Sequence, residues 1–303
     1  MTAASHSDTR VGFFFTLGAY VTWGLMPLYL KLLDHIPVTE VLAHRVIWSV
    51  PVAAMVPVML GRIRELREAL TSPRMLGMAL LGATLISINS GTYFWAVSVN
   101  RTIEGALGFY INPLFSVLLG AVVLKERLTR AQVLALGLAA LAVAIITWDA
   151  GGLPWAAILI AAAWGLYALC RRMLPIGPNQ GFLLEVLILS PIALAWIGVL
   201  VSRGESHFGP TGLADIALLL GIGVVTAVPL IMFANGAKGL RLSTLGIMQF
   251  LVPTMVFLVA VLVFREPFSP ARAIGFVFIW TAVAIYSWPL IRDLRASRVS
   301  EAS

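Results

Sequence analysis

Ten stretches of the chain carry no charged side chain: residues 11–30, 46–60, 75–100, 105–124, 131–148, 150–170, 186–202, 216–237, 242–264 and 273–291. A helix needs roughly 20 residues to cross about 30 Å of hydrocarbon. Eight of the runs meet or nearly meet that length. The two shorter ones reach it by absorbing one polar cluster each, His44-Arg45 in the second and Glu185 in the seventh. Lipid offers the backbone no hydrogen-bond partner, so runs of this kind become helices. The period-two alternation of a membrane barrel is absent. The pattern predicts an all-α integral membrane protein with ten transmembrane helices.

Composition sharpens this. Of 303 residues, 60% are hydrophobic and 12% charged, which is about half the charge of a soluble domain. Such a chain has too few polar atoms to cover itself in water, and nucleic-acid binding is excluded despite the net charge of +7. The first run exceeds a signal-peptide core of 7–15 residues and is read as a retained helix. With the N-terminus inside, 15 Lys and Arg fall in inner segments and 5 in outer ones. That bias places both termini in the cytoplasm. The single cysteine, Cys170, permits no intramolecular disulfide.

The chain also repeats itself. Residues 113–126, PLFSVLLGAVVLKE, match 253–266, PTMVFLVAVLVFRE, at an offset of 140. Ala142-Val143-Ala144-Ile145 returns as Ala282-Val283-Ala284-Ile285, and Pro51 as Pro191, at the same offset. Trp23-Gly24-Leu25 returns as Trp164-Gly165-Leu166, and Leu80-Leu81-Gly82 as Leu219-Leu220-Gly221, within one residue of it. The expected units are residues 11–148 and 150–291, with cytoplasmic tails at 1–10 and 292–303. Five helices per unit is odd, so the second copy enters from the opposite side. Two inverted five-helix repeats are a transporter architecture, with a substrate site near the midplane.

Several motifs resemble the EamA-like branch of the drug/metabolite transporter superfamily. They are Gly18-Ala19-Tyr20, Trp23-Gly24-Leu25, Pro27-Leu28-Tyr29, Leu42-Ala43-His44-Arg45, the run from Leu107 to Leu114 (LGFYINPL), and Lys125-Glu126-Arg127-Leu128. The resemblance spans roughly residues 11–290. It implies ten helices in two inverted repeats, a bacterial inner-membrane location and export of small organic molecules. It also brings an association with chloramphenicol sensitivity or resistance.

Polar groups inside a membrane are costly and mark candidate sites. Arg45 is read either as an anion anchor facing the cavity or as a snorkelling structural residue. His44 either titrates near neutral pH or is a satisfied interfacial histidine. Glu185 stands 140 residues after Arg45, and inversion sets the two on opposite faces. Asn112-Pro113 and Val252-Pro253 fall at the centres of the fourth and ninth spans, where Pro113 and Pro253 interrupt the helices as gates or as packing kinks. Gln249 lies beside the second of them. Asn89 and Tyr93 share a face of the third span, and the pairs Tyr20–Trp23 and Trp164–Tyr167 mark the first and sixth. These aromatic and polar faces either line a substrate pocket or pack between helices. The small-residue runs of the fifth and tenth spans are packing surfaces or a homodimer face.

No phosphate-binding loop, HExxH motif or acidic cluster occurs, and the four histidines are far apart in sequence. No catalytic, metal or cofactor site is expected. The leading function is a secondary transporter of a small-molecule substrate across the lipid bilayer. The alternatives are a membrane-embedded enzyme on a lipid-linked substrate and a non-transporting membrane partner.

Overall fold

The computed structural model describes residues 9–59, 63–123, 125, 128–173, 175–209, 212–236, 239–240 and 242–302. Among them every regular element is helical. The helices are α1 (Arg10–Leu32), α2 (Val38–Met59), α3 (Ile63–Thr71), α4 (Pro73–Ser98), α5 (Thr102–Val123), α6 (Arg130–Ala150), α7 (Trp155–Met173), α8 (Pro178–Arg203), α9 (Leu213–Gly236), α10 (Leu242–Met248), α11 (Leu251–Leu258) and α12 (Pro270–Ala302). A π-helical turn, Val259–Val263, continues α11.

Local chemistry sets the helix ends. Thr9 accepts the Gly12 N–H at the start of α1, and Thr129 with Gln132 forms a reciprocal capping box on α6, each satisfying donors the first turn leaves free. Ser72 caps α4, with Pro73 following where its missing N–H costs nothing. Gly151 (φ 64°) and Gly204 (φ 71°) close α6 and α8 in the left-handed region that suits glycine.

Among the described residues, eight helices are long and apolar enough to cross a membrane: α1, α2, α4, α5, α6, α8, α9 and α12. The apolar parts of α7 (Trp155–Arg171) and of α11 with its π-turn (Leu251–Val263) are shorter. Large apolar side chains such as Val133, Ile192, Leu194, Val277 and Trp288 point outward, exposed, which suits a lipid surround. The buried core instead runs between α1, α5, α6, α7, α9, α11 and α12, through Leu107, Leu114, Ile160, Leu219, Val256 and Phe276.

Small residues bring the long helices together. Ala135, Ala139 and Ala142 are buried where α6 lies against α12, and a Cβ on Gly275 would stand 2.7 Å from Ile146. Gly223 does the same for α2 and α9: its Cβ would meet the Trp48 backbone at 2.4 Å.

The packing pairs exchange when α1, α2, α4, α5 and α6 are matched in order to α7, α8, α9, α10–α11 and α12. The pairs α6–α12 and α2–α8 map onto themselves. The pair α4–α7 exchanges with α1–α9, α5–α7 with α1–α11, and α2–α9 with α4–α8. Lys125 (φ 55°) and Arg265 (φ 53°), 140 residues apart, share a left-handed backbone that few non-glycine residues adopt. Glu126, which follows Lys125, lies outside the described residues.

The structure departs from the sequence reading at four places. The segment 63–71, to which the uncharged runs assign no element, is a further helix, α3, with Ala69 buried near Ala79 and Leu184. The ninth span is broken at Gln249–Phe250, which places Pro253 in the first turn of α11, where no intrahelical bond is lost. The fourth span is not interrupted: α5 runs through Pro113. Its flanking Tyr110 and Leu114 are each 2% exposed and held in the core, and neighbouring helices let a membrane helix tolerate one missing bond. At the C-terminal end, helix α12 passes the expected boundary at residue 291 and continues to Ala302.

Candidate functional site

Arg45 stands at the eighth position of α2, and Glu185 at the eighth position of α8, which packs against it. Each is about 10 Å along its helix from the start, at 1.5 Å per residue. Glu185 is 2% exposed. It accepts the Tyr167 hydroxyl at 3.1 Å and a guanidinium N–H of Arg171 at 3.4 Å, both from α7. Arg45 is half-buried, donates its Nε–H to Thr226 Oγ1 on α9 at 3.3 Å, and lies 5.8 Å from the Phe94 ring centre on α4. Inversion was expected to keep Arg45 and Glu185 apart. Among the described residues the two side chains share no hydrogen bond or ion pair. Glycine makes room for the carboxylate, since a Cβ on Gly82 of α4 would stand 3.0 Å from Glu185 Oε1.

Trp164 joins this locus through Tyr167, with ring centres 5.8 Å apart. The other predicted aromatic pair, Tyr20 and Trp23, forms a separate cluster in which each ring lies 5.7 Å from Phe233 of α9. Asn89 is buried and donates to the Ile160 carbonyl of α7 at 2.8 Å. Tyr93 is buried with its ring 4.9 Å from Phe109. The Tyr93 hydroxyl and Asn112 Oδ1 are buried without a hydrogen-bond partner among the described residues, an arrangement that is costly in a protein interior. Gln249 is half-buried at the break between α10 and α11. Pro253 is buried in the first turn of α11, beside Thr254, whose hydroxyl meets Tyr110 at 2.7 Å.

A second constellation escaped the sequence reading. Glu40 is fully buried and receives Ser206 Oγ at 3.1 Å, the His207 N–H at 2.7 Å and His207 Nδ1 at 2.7 Å. His44 Nε2 lies 4.0 Å from the same carboxylate, while its Nδ1 accepts the Trp48 indole N–H at 3.0 Å and its ring stacks on Phe208. His35 meets Asp215 at 2.9 Å and the His207 ring edge-on. Three histidines that are distant in sequence therefore gather at the end of the bundle where α2 and α9 begin. His44 is a packed structural residue there. At the same end Glu266 accepts the Thr102 and Ile103 N–H groups of α5, and Glu104 accepts the Ala156 N–H of α7 at 2.9 Å. The one local signal was the repeated basic-Glu pair at 265–266.

The profile of the EamA-like transporter family matches residues 10–148. The RarD protein of Streptomyces exfoliatus is 38% identical over 294 residues, covering 97% of this chain and 93% of its own length. The chain belongs to the EamA-like transporter family, in its RarD branch. The uncharacterized transporter YojE of Bacillus subtilis is 39% identical over 300 residues, 97% of this chain and 99% of that protein. A solved crystal structure with 21% sequence identity shares the fold, with a TM-score of 0.60 over 94% of this chain and 99% of that one. Family membership and the apolar helices make this a multi-pass bacterial membrane protein of the drug/metabolite transporter superfamily. The EamA-like motif Leu42-Ala43-His44-Arg45 is thereby given a place: it supplies both the Glu40-centred cluster and the Arg45 locus.

Proposed function

We propose that this EamA-like protein is a secondary transporter that exports small organic solutes, drugs or metabolites, across the bacterial inner membrane by alternating access. In this reading α7 and α11 with its π-turn complete ten crossings, and residues 11–148 and 150–291 are inverted repeats with both termini in the cytoplasm. The observation that carries it is the exchange of packing pairs between the two halves, which is what a two-fold relation between them produces; an odd number of crossings per half sets that axis in the membrane plane. Rocking of one half against the other then opens the interior to each side in turn. Arg45, Tyr167, Trp164, Asn112 and Gln249 face the transported solute, with Tyr20, Trp23, Asn89 and Tyr93 supporting the wall. The break before Pro253 gives α10 and α11 freedom to move separately.

The test is transport by purified protein. Thermal-shift screening across drugs, amino acids and nucleobases selects solutes, and proteoliposomes then measure their uptake. Crosslinking cysteines placed at His35 and Asp215, in a Cys170→Ala background, ties the two halves at one end. Uptake should stop on crosslinking and return on cleavage of the linker. Undiminished uptake by the crosslinked protein contradicts alternating access.

A further inference from the structure

Arg171 of α7 pairs with Glu185 of α8, and Arg45 stands on α2, which packs against α8. The carboxylate is committed: Glu185 already holds the Tyr167 hydroxyl and Arg171. Arg45 has no hydrogen bond to it. Its Nε–H meets a neutral hydroxyl, that of Thr226, and its Cζ lies 5.8 Å from the Phe94 ring centre. A guanidinium carries five N–H donors. Among the described residues, the four on the terminal nitrogens of Arg45 have no acceptor. The side chain is half-buried, so those donors are not sealed in packing. Arg45, Arg171 and Glu185 together have a formal charge of +1 in a chain whose interior is apolar. An uncompensated charge in such surroundings is expensive, and a planar guanidinium is built to take a carboxylate through two parallel bonds. Thr226 fixes the fork from the second half of the chain, so a ligand held there touches both halves.

We infer that Arg45 anchors the anionic group of the transported solute, an organic anion with a carboxylate on an apolar or aromatic body. This rests on the transporter reading above. It also accounts for export without an intramembrane acid relay. An anion moving outward runs down the inside-negative membrane potential. Phe94, Tyr167 and Trp164 supply the apolar walls, and Glu185 keeps Arg171 occupied so that Arg45 alone is offered to the ligand.

The probes are benzoate, 3-phenylpropionate and hexanoate, each compared with its methyl ester, and 3-phenylpropylamine as the cationic counterpart. Thermal stabilisation of the purified protein in detergent reads binding. At least one carboxylate should stabilise the wild type while its ester and the amine do not. R45Q should bind that carboxylate about tenfold more weakly or worse, with R45K between the two. An ester that stabilises as well as its carboxylate, carboxylates that have no effect, or binding that survives in R45Q each overturn the proposal. The wild-type comparison of acid with ester holds even if R45Q does not fold. In nanodiscs, stabilisation by an anionic phospholipid that the carboxylates cannot displace assigns the fork to a lipid headgroup and also overturns it. Failure of the underlying reading looks different. Neutral solutes moved in proteoliposomes without carboxylate binding reject the anion site alone. Carboxylate binding without transport of any solute rejects the transporter and leaves the site.

Discussion

Glu266 closes both carboxylate oxygens on the start of α5: Oε1 takes the Thr102 N–H at 2.6 Å and Oε2 takes the Ile103 N–H at 2.9 Å. The carboxylate is 7% exposed. It meets the positive end of a helix whose first donors have no intrahelical acceptor. Because Glu266 lies in the second half of the chain and α5 in the first, this contact joins the halves. Glu266→Gln replaces one accepting oxygen with an amide that faces a donor. The variant should lose about 1–3 kcal/mol of stability, seen as a lower melting temperature, and thiol labelling near residue 102 should increase.

Glu185 is held by Tyr167 and Arg171, and its removal leaves the Arg171 guanidinium without its carboxylate. Breaking one side of a buried pair costs about 3–5 kcal/mol, more than the pair itself contributes. Glu185→Gln is therefore expected to melt well below wild type. Adding Arg171→Gln should recover part of the loss. A double-mutant cycle on melting free energies checks this, and additive effects would deny the coupling.

Asn89 is committed to the Ile160 carbonyl. A single hydrogen bond between membrane helices averages about 0.6 kcal/mol. Asn89→Ala should cost stability of that order and leave solute affinity unchanged. Cysteine at position 89 should resist water-soluble thiol reagents, whereas cysteine at position 45 should react and be protected by bound solute.

Close helix approach depends on specific glycines. Gly223→Ala drives a Cβ to 2.4 Å from the Trp48 backbone, and overpacking of this kind costs about 1–3 kcal/mol. Gly137 and Gly198 have nothing within 4 Å of the corresponding Cβ. Their alanine variants should match or slightly exceed wild-type stability. Melting temperatures of the three variants in one detergent decide the comparison.

The helices were legible because uncharged runs of about 20 residues have few other structures open to them, and the repeat was legible because 113–126 and 253–266 keep the same register. The break at Gln249 was visible only as a nearby Pro253, since a proline marks where a helix can stop without saying whether it does. Helix α3 was hidden because nine residues, Ile63–Thr71, with alternating charges read equally well as loop. Apart from the repeated basic-Glu pair at 265–266, the contacts between halves had no local signature. Glu40 and His207 are 167 positions apart, and Arg45 and Thr226 are 181 apart. Arg45 was singled out because a charge in a span is rare. Thr226 was missed because a threonine in a span is ordinary.

The central claim is that residues 150–291 enter the membrane with the opposite orientation to residues 11–148, and reporter fusions test it most directly. Fusions after Arg64, Arg127, Arg171, Lys238 and Arg298 should report the cytoplasm. Fusions near Asp34, Gly151, Glu205 and Ser269 should report the outside. One internal position on the wrong side, with the others as stated, would contradict ten crossings and the inverted repeat together.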